Sequence, residues 1–193
     1  MKNMKKTAFL ALFALVFSDS ILAQNLTDAR TRWADSFVEW LLFSTPDTAG
    51  TDEPQPEETG KIALRWPNSN DFSEWDIELD DLRGTIKQKW KNDPNRWELR
   101  ADGEAISIKT RWDNDFTEWK ITDDTRTLHL KTRFNSPDEW VTTSSEFGRF
   151  YMYTLFRSDP RDWAIEDELK PEISRAMRLA MVFVVLFQSS PKE

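Results

Sequence analysis

The chain of 193 residues contains no cysteine and only one histidine, His129. Without cysteine it can form no disulfide bond, no zinc–thiolate site and no thiolate nucleophile. A single histidine cannot supply a multi-histidine metal site, and any serine–histidine triad would have to use this one residue. These absences exclude zinc–thiolate sites and cysteine nucleophiles, and they nearly exclude histidine-based triads and multi-histidine metal sites.

Glycine is also scarce, with 5 residues. The sequence has no glycine-rich phosphate-binding loop, no nucleophile elbow and no metal-binding helix motif. Carboxylates are plentiful, but no pattern identifies two of them held about 5–10 Å apart, as a glycosidase requires. We therefore predict a non-enzymatic protein with no catalytic residues, no metal site and no cofactor.

The first 23 residues are typical of a signal peptide. "MKNMKK" is basic, "TAFLALFALVF" is apolar, and "SDSILA" ends at a plausible cleavage point, Ala23. The apolar stretch is shorter than the roughly 20 residues that a membrane-spanning helix needs. We predict an exported protein, periplasmic or secreted, with no transmembrane segment in the mature chain. Cleavage would remove three lysines and one aspartate and move the net charge from −8 to −10, which argues against a nucleic-acid partner.

Two series of aromatic residues recur through the chain at a spacing of about 22 residues, a period typical of small structural repeats. The first series is Trp66, Trp90, Trp112, Phe134 and Phe156, and the second is Trp75, Trp97, Trp119, Trp140 and Trp163. Apolar and polar residues alternate on either side of each pair, as expected for half-buried strands. Turn residues separate the units. The repeat predicts an antiparallel β-meander of about ten short strands, arranged as five hairpins.

The alternation places both aromatic series on the same face of the sheet as the aliphatic residues. Both series are therefore predicted to anchor the core. The alternative is a carbohydrate-binding surface, because exposed tryptophan rings stack on sugar rings. A sheet with so many apolar residues on one face needs a cover, which favours the core interpretation.

Two helices are predicted to provide that cover, and the fold class is accordingly α+β. Helical spacing of apolar residues predicts a helix over 24–43, and Pro171 suits the first turn of a second helix that ends near Gln188. The predicted organisation is a signal peptide at 1–23, an N-terminal helix at 24–43, an acidic proline-rich linker at 44–60, the hairpin sheet at 61–165, and the C-terminal helix and tail at 166–193.

The run "LAMVFVVLF" at 179–187 is apolar all round and allows three interpretations. It could be a helix packed on the sheet, a β-strand, or a helix that binds a partner or forms a homodimer. The residues that would carry the partner contact are Met181, Phe183, Val184 and Phe187.

The loops between paired aromatics are rich in Asn, Ser and Asp. Such residues are typical of a helix N-cap and first turn, so a single helical turn is predicted to return the chain at each loop. Asp113, Asp115 and Glu118 offer oxygen ligands to a calcium ion, but this ligand spacing is not kept between repeats. The loops are therefore interpreted as turns.

The residues that alternate with the core positions are mostly basic. They predict a basic face that binds an anionic partner, and the candidates are Lys87, Lys89, Lys109, Arg111, Lys120, His129, Lys131 and Arg133. The alternative is a solvated face whose charges form pairs between neighbouring strands. The predicted function is binding or assembly at the cell envelope, with an envelope protein or an anionic envelope component as partner. Two alternatives remain: a carrier of an apolar, lipid-like ligand held between sheet and helices, and a carbohydrate-binding or glycan-processing protein.

Overall fold

The computed structural model describes residues 26–45 and 55–192, which form twelve β-strands and one α-helix. In chain order these are β1 (Leu26–Trp33), β2 (Ser36–Ser44), β3 (Glu57–Leu64), β4 (Glu74–Leu79), β5 (Leu82–Gln88), β6 (Arg96–Ala101), β7 (Glu104–Trp112), β8 (Asp115–Thr122), β9 (Thr127–Arg133), β10 (Ser136–Thr142), β11 (Gly148–Phe156), β12 (Asp159–Leu169) and α1 (Arg175–Ser189).

Each strand pairs antiparallel with the next one along the chain, and β1 pairs with β12, so the sheet closes into a barrel. The predicted antiparallel meander is confirmed, with twelve strands instead of about ten. Because the strands alternate in direction, the turns after odd-numbered strands all lie at one end of the barrel, here named the tip end. The turns after even-numbered strands, and the start of α1, lie at the opposite end, here named the base end.

Helix α1 runs through the interior of the barrel. Every residue from Ala176 to Leu186 is buried, so all sides of the helix are covered. At the base end Arg175 forms ion pairs with Asp81 and Asp102, at 2.6 and 3.7 Å. A helix that is apolar all round is expected in a core. The prediction of a C-terminal helix packed on the tryptophan-rich face is confirmed.

The start of α1 differs from the prediction. Its N-cap is Ser174, whose hydroxyl accepts a hydrogen bond from the backbone N–H of Met177 at 3.3 Å. Pro171 lies in the turn before the helix and not in its first turn. Within the described ranges, no helix is both long and apolar enough to cross a membrane.

The predicted N-terminal helix over 24–43 is wrong, because the described part of this stretch forms β1 and β2. Leu26 and Ala29 are both buried although they are three residues apart, a spacing that suggests a helix. The strand register shifts between Leu26 and Asp28, which is a β-bulge or similar irregularity. A bulge adds one residue to a strand and breaks the period-two pattern, so this strand imitates helical spacing.

The predicted segment boundaries also change. The predicted linker over 44–60 overlaps β3, which begins at Glu57, and the sheet extends beyond 61–165 at both ends. Residues 46–54 of the linker and the predicted signal peptide over 1–23 lie outside the described residues.

A buried ion pair joins the helix to the wall of the barrel. Arg178 of α1 bonds the carboxylate of Asp167 on β12, and both side chains are at most 4% exposed. The Arg178 guanidinium also donates to the backbone carbonyls of Leu169 and Lys170, each at 3.0 Å. Asp167 in turn accepts from the backbone N–H of Leu169 at 3.1 Å. These bonds fix the helix at the point where the chain enters the barrel.

We expect Arg178→Met to lower the free energy of unfolding by about 3–5 kcal/mol, because it leaves the Asp167 carboxylate buried without its partner. Asp167→Asn with Arg178→Met should be more stable than Arg178→Met alone, because the double variant buries no unpaired charge. Urea unfolding of the two variants measures this difference. A double variant less stable than the single one would contradict this account of the pair.

Candidate functional site

The two aromatic series occupy different places in the barrel. The second series is buried, with each tryptophan at most 3% exposed, and Trp75 and Trp97 pack against Phe183 and Phe187 of α1. This half of the core prediction is confirmed. The first series is exposed by 59–80%, so the prediction that all ten aromatics belong to the core is wrong for its five members. They lie at the tip end, beyond the layers of side chains that α1 covers.

The hairpin tips share one hydrogen-bonding pattern, which explains the constant spacing. In five tips, the indole N–H of the buried tryptophan donates to the backbone carbonyl three residues earlier, at 2.8–3.0 Å. The Asp or Ser four residues before that tryptophan accepts from a backbone N–H two residues later, at 3.0–3.3 Å. The acceptors are Asp71, Asp93, Asp115, Ser136 and Asp159. The acidic residues of the loops therefore build the turns, and each tryptophan locks the turn to the core.

The predicted helical turns are not present in the described tips. Several tips instead reverse in two residues, and Phe134 and Asn135 both have a φ of 55°, as a tight hairpin turn requires. Asn114 has a φ of 64° in the equivalent position after β7. Two of the three residues considered for calcium already have partners, because Asp115 accepts from Thr117 and Glu118 pairs with Arg111 at 2.6 Å.

A sixth tip of the same kind was missed because its strands resemble a helix. The sequence "RWADSFVEW" at 32–40 matches "RWDNDFTEW" at 111–119 in its Arg, both Trp, Phe and Glu residues. Trp33 is 53% exposed and Trp40 is 1% exposed, as in the other tips. Comparing these two stretches would have identified the first hairpin from the sequence.

Replacing the two tryptophans of one tip should separate their roles. Trp119→Ala empties a large core site and should lower the free energy of unfolding by about 3–5 kcal/mol. Trp112→Ala removes an exposed side chain of the same size and should change it by no more than about 0.5 kcal/mol. Urea denaturation of both variants tests the assignment, and equal losses would contradict it.

Hydrogen bonds in three tips lower the pKa of the capping carboxyl below its usual range. The donors are the side chain and backbone of Ser73 for Asp71, of Thr117 for Asp115, and of Arg161 for Asp159. A carboxyl with a lowered pKa in the folded state favours folding when it is ionised. This contribution is fully present above the pKa of the unfolded chain and disappears as the pH falls through the lower, folded pKa.

Asp115→Asn should reveal this dependence, because asparagine keeps the acceptor oxygen but does not titrate. We expect the wild-type protein to melt at a higher temperature than the variant at neutral pH, and the difference to shrink as the pH falls below about 4. Melting temperatures of both proteins between about pH 6 and 2 test this. Parallel curves over that range would show that the Asp115 charge does not stabilise the tip.

The predicted basic face divides into two groups. Lys109 on β7 lies opposite Lys120 on β8, and Lys120 lies opposite His129 on β9. Their neighbours Ile108, Ile121, Leu128 and Leu130 are buried inside the barrel, so the basic residues lie on its outer surface. Lys131 is two residues further along β9 on the same surface. Lys109, Lys120, His129 and Lys131 are named here the basic wall.

The other four residues predicted for the basic face do not belong to the basic wall. Three form ion pairs: Lys87 with Glu74 at 2.8 Å, Arg111 with Glu118 at 2.6 Å, and Arg133 with Glu139 at 3.5 Å. Lys89 lies at the tip between β5 and β6 and is exposed. The predicted face is therefore smaller than the sequence suggests.

Within the described ranges, no residue of the basic wall has an acidic side chain within ion-pair distance. The Nδ1 atom of His129 is buried and has no hydrogen-bond partner there either. Sequence reasoning missed Arg96, which lies opposite Lys109 on β6, although it pairs with Asp93 at 3.8 Å. A surface groove of about 620 Å³ adjoins Lys131, between the tip halves of β8 and β9.

The residues of the predicted partner helix are not accessible. Met181, Phe183 and Val184 are at most 2% exposed inside the barrel, and Phe187 packs against Trp75 and Trp97. This burial contradicts the interpretation of α1 as a docking or dimer helix in the folded protein. Beside Phe183 and Phe187 the interior has a cavity of only about 10 Å³, roughly the space of one water molecule.

Comparison of the chain with protein-family models, curated proteins and solved structures found no significant match. Function must therefore be argued from the surfaces of the barrel.

Proposed function

We propose that this is an exported, non-enzymatic binding protein of the cell envelope, and that it docks an anionic partner on the basic wall. The observation that carries the proposal is the direct register of Lys109, Lys120 and His129 across three strands. Side chains directly opposite each other in an antiparallel pair lie about 4.5–5.5 Å apart, and like charges there destabilise the sheet. An anionic partner would remove that cost.

Elsewhere on the outer surface, basic side chains form ion pairs that the basic wall lacks. Arg65 pairs with both Glu74 and Asp76, and Arg149 pairs with both Glu166 and Glu168. Many cations elsewhere on the barrel thus form ion pairs within the chain, while the described residues give the basic wall none in a protein whose net charge is −8. Glu118 lies opposite Lys131 but pairs with Arg111. A positive patch on an acidic protein steers anionic partners to one place.

The carrier alternative has less support. An apolar ligand could enter the space between wall and helix only if α1 moved out, and α1 is held there by the Arg178–Asp167 pair and by its aromatic contacts. The interior cavity of about 10 Å³ offers no room for a lipid chain.

Reversing two charges on the wall tests the proposal. Lys109→Glu with Lys131→Glu should abolish capture of the partner from native envelope. Thermal stability should stay nearly unchanged, because Lys109→Glu relieves the repulsion from Lys120 while Lys131→Glu places a like charge opposite Glu118. Binding by the wild-type protein should also weaken as salt rises above about 0.15 M, where the Debye length is about 8 Å.

The matched control is Lys61→Glu with Lys170→Glu, which makes the same change in net charge away from the wall. Lys61 is on β3, across the barrel, where it pairs with Glu78 at 3.7 Å, and Lys170 is exposed at the base end. The loss of one surface ion pair costs no more than about 1 kcal/mol, so the control should remain folded. The control should capture the same partner as the wild-type protein. Capture by the wall variant that persists at both low and high salt would show that the wall is only a solvated surface.

A further inference from the structure

Six exposed aromatic side chains surround the tip end of the barrel, one at each hairpin. They are Trp33, Trp66, Trp90, Trp112, Phe134 and Phe156, and are named here the tip ring. Each lies at the end of an odd-numbered strand or just after it. Because the barrel is closed and its strands alternate in direction, these positions follow one another around the same rim.

The tip ring gathers exposed aromatic side chains at one end of the barrel. The six side chains are 53–80% exposed. With about 200 Å² for a fully exposed aromatic side chain, they expose about 750 Å² in total, distributed around the rim. Together with Leu155, which adjoins Phe156, they are the exposed large hydrophobic residues of the described ranges. Apolar side chains scattered singly over a surface are normal, whereas exposed hydrophobic residues gathered in one place mark an interaction site.

Each aromatic residue of the tip ring has a basic neighbour in the sequence. The neighbours are Arg32, Arg65, Lys89, Arg111, Arg133 and Arg157. Three guanidinium groups lie over the adjacent ring, at 5.8 Å for Trp33, 5.6 Å for Trp112 and 4.9 Å for Phe134. Aromatic rings accompanied by Arg or Lys are typical of the zone between the lipid headgroups and the hydrocarbon, where rings are buried and cations reach phosphates.

The turns between the aromatics are polar, which disfavours a dry protein–protein contact. Asn92, Asn114 and Asn135 are exposed at the tips, each with a positive φ. In a protein interface their amides would need partners of matching geometry or would lose hydration at a cost. At the level of lipid headgroups they would stay hydrated while the neighbouring rings insert.

The distribution of charge also favours a molecule whose tip end faces the lipid surface. The described base-end turns hold seven acidic residues and only two basic ones; the acidic residues are Asp80, Asp81, Asp102, Asp123, Asp124, Glu146 and Glu172. The tip turns hold four acidic and four basic residues, so the net negative charge of the described turns lies at the end farthest from the tip ring. A molecule that approaches a lipid surface with its tips keeps its acidic end in water, away from anionic headgroups.

We infer that the tip ring docks the protein on the headgroup zone of a phospholipid bilayer, with the six hairpin tips in contact with the lipid and the base end in water. The inserted aromatic rings supply most of the affinity. Lys89 and Arg157 form no ion pair among the described residues and add contacts to phosphate, whereas the other four neighbours, Arg32, Arg65, Arg111 and Arg133, are already paired with carboxylates. This surface is separate from the basic wall, so membrane docking leaves the wall free for the proposed partner.

Vesicle sedimentation tests the inference on the mature chain. The probes are vesicles of phosphatidylcholine alone and of phosphatidylcholine with about a quarter of phosphatidylglycerol. We expect binding to both, stronger with phosphatidylglycerol at low salt, and retained in about 0.5 M salt, where the Debye length is roughly 4 Å. With brominated lipid, the exposed tryptophans should be quenched and the five buried ones of the second series should not.

Trp66→Ser with Trp112→Ser should weaken vesicle binding by about tenfold or more without changing the melting temperature, because both side chains are exposed. The matched control is Lys170→Ser with Glu172→Ser, which changes two exposed base-end residues and leaves the net charge unaltered. It should bind vesicles like the wild-type protein.

The inference would be overturned if the wild-type protein sedimented with neither kind of vesicle, or if the tryptophan double variant bound vesicles as well as the wild type. It would also be overturned if light scattering showed that the wild-type protein is a dimer and that the double variant is a monomer, because the tip ring would then join two copies of the chain. The Lys109→Glu, Lys131→Glu protein separates the two proposals. It should keep its binding to phosphatidylcholine vesicles even though it loses the anionic partner, so either surface can fail its test without the other.

Discussion

The enclosure of α1 by the barrel is the constraint on which the rest of the structure depends. A closed barrel of eight strands can be filled by its own inward side chains, and one of twelve strands is wider. Here the C-terminal helix fills the space, and its stretch 179–187, which is apolar all round, is stable only because strands surround it. The pair between Arg178 and Asp167 holds the helix where it enters from the base end. Because the interior is occupied, the barrel offers a partner only its outer surfaces.

One local unit, repeated around the rim, organises those outer surfaces. In each of five tips a capping Asp or Ser shapes the turn, and a tryptophan four residues later reaches back to bond the turn while its ring enters the core. The unit also determines where the other aromatic of the pair lies, beyond the rim and in solvent. The same repeat therefore produces both the core and the exposed ring.

Charge and apolar area are separated on this molecule. Acidic residues crowd the base end, unpaired cations lie on the wall formed by β7, β8 and β9, and aromatic rings surround the tips. Each region has a different chemistry, so two partners could bind without competing. The basic wall suits an anionic partner sensitive to salt, whereas the tip ring suits a surface that accepts inserted aromatic rings.

The sequence by itself determined the repeat, the antiparallel meander, the burial of the second tryptophan series and the C-terminal helix, because each depends on local periodicity. Tertiary structure alone decided the rest. A bulge near Leu26 made the first strands resemble a helix until pairing with β12 showed them to be part of the barrel. Lys109 and Lys120 lie on the wall as predicted, but only the register showed that Arg111 and Arg133 are neutralised by Glu118 and Glu139. The side-chain alternation of Trp112 predicted an inward residue, yet it is exposed, because alternation determines the side of a strand and not whether the core extends that far.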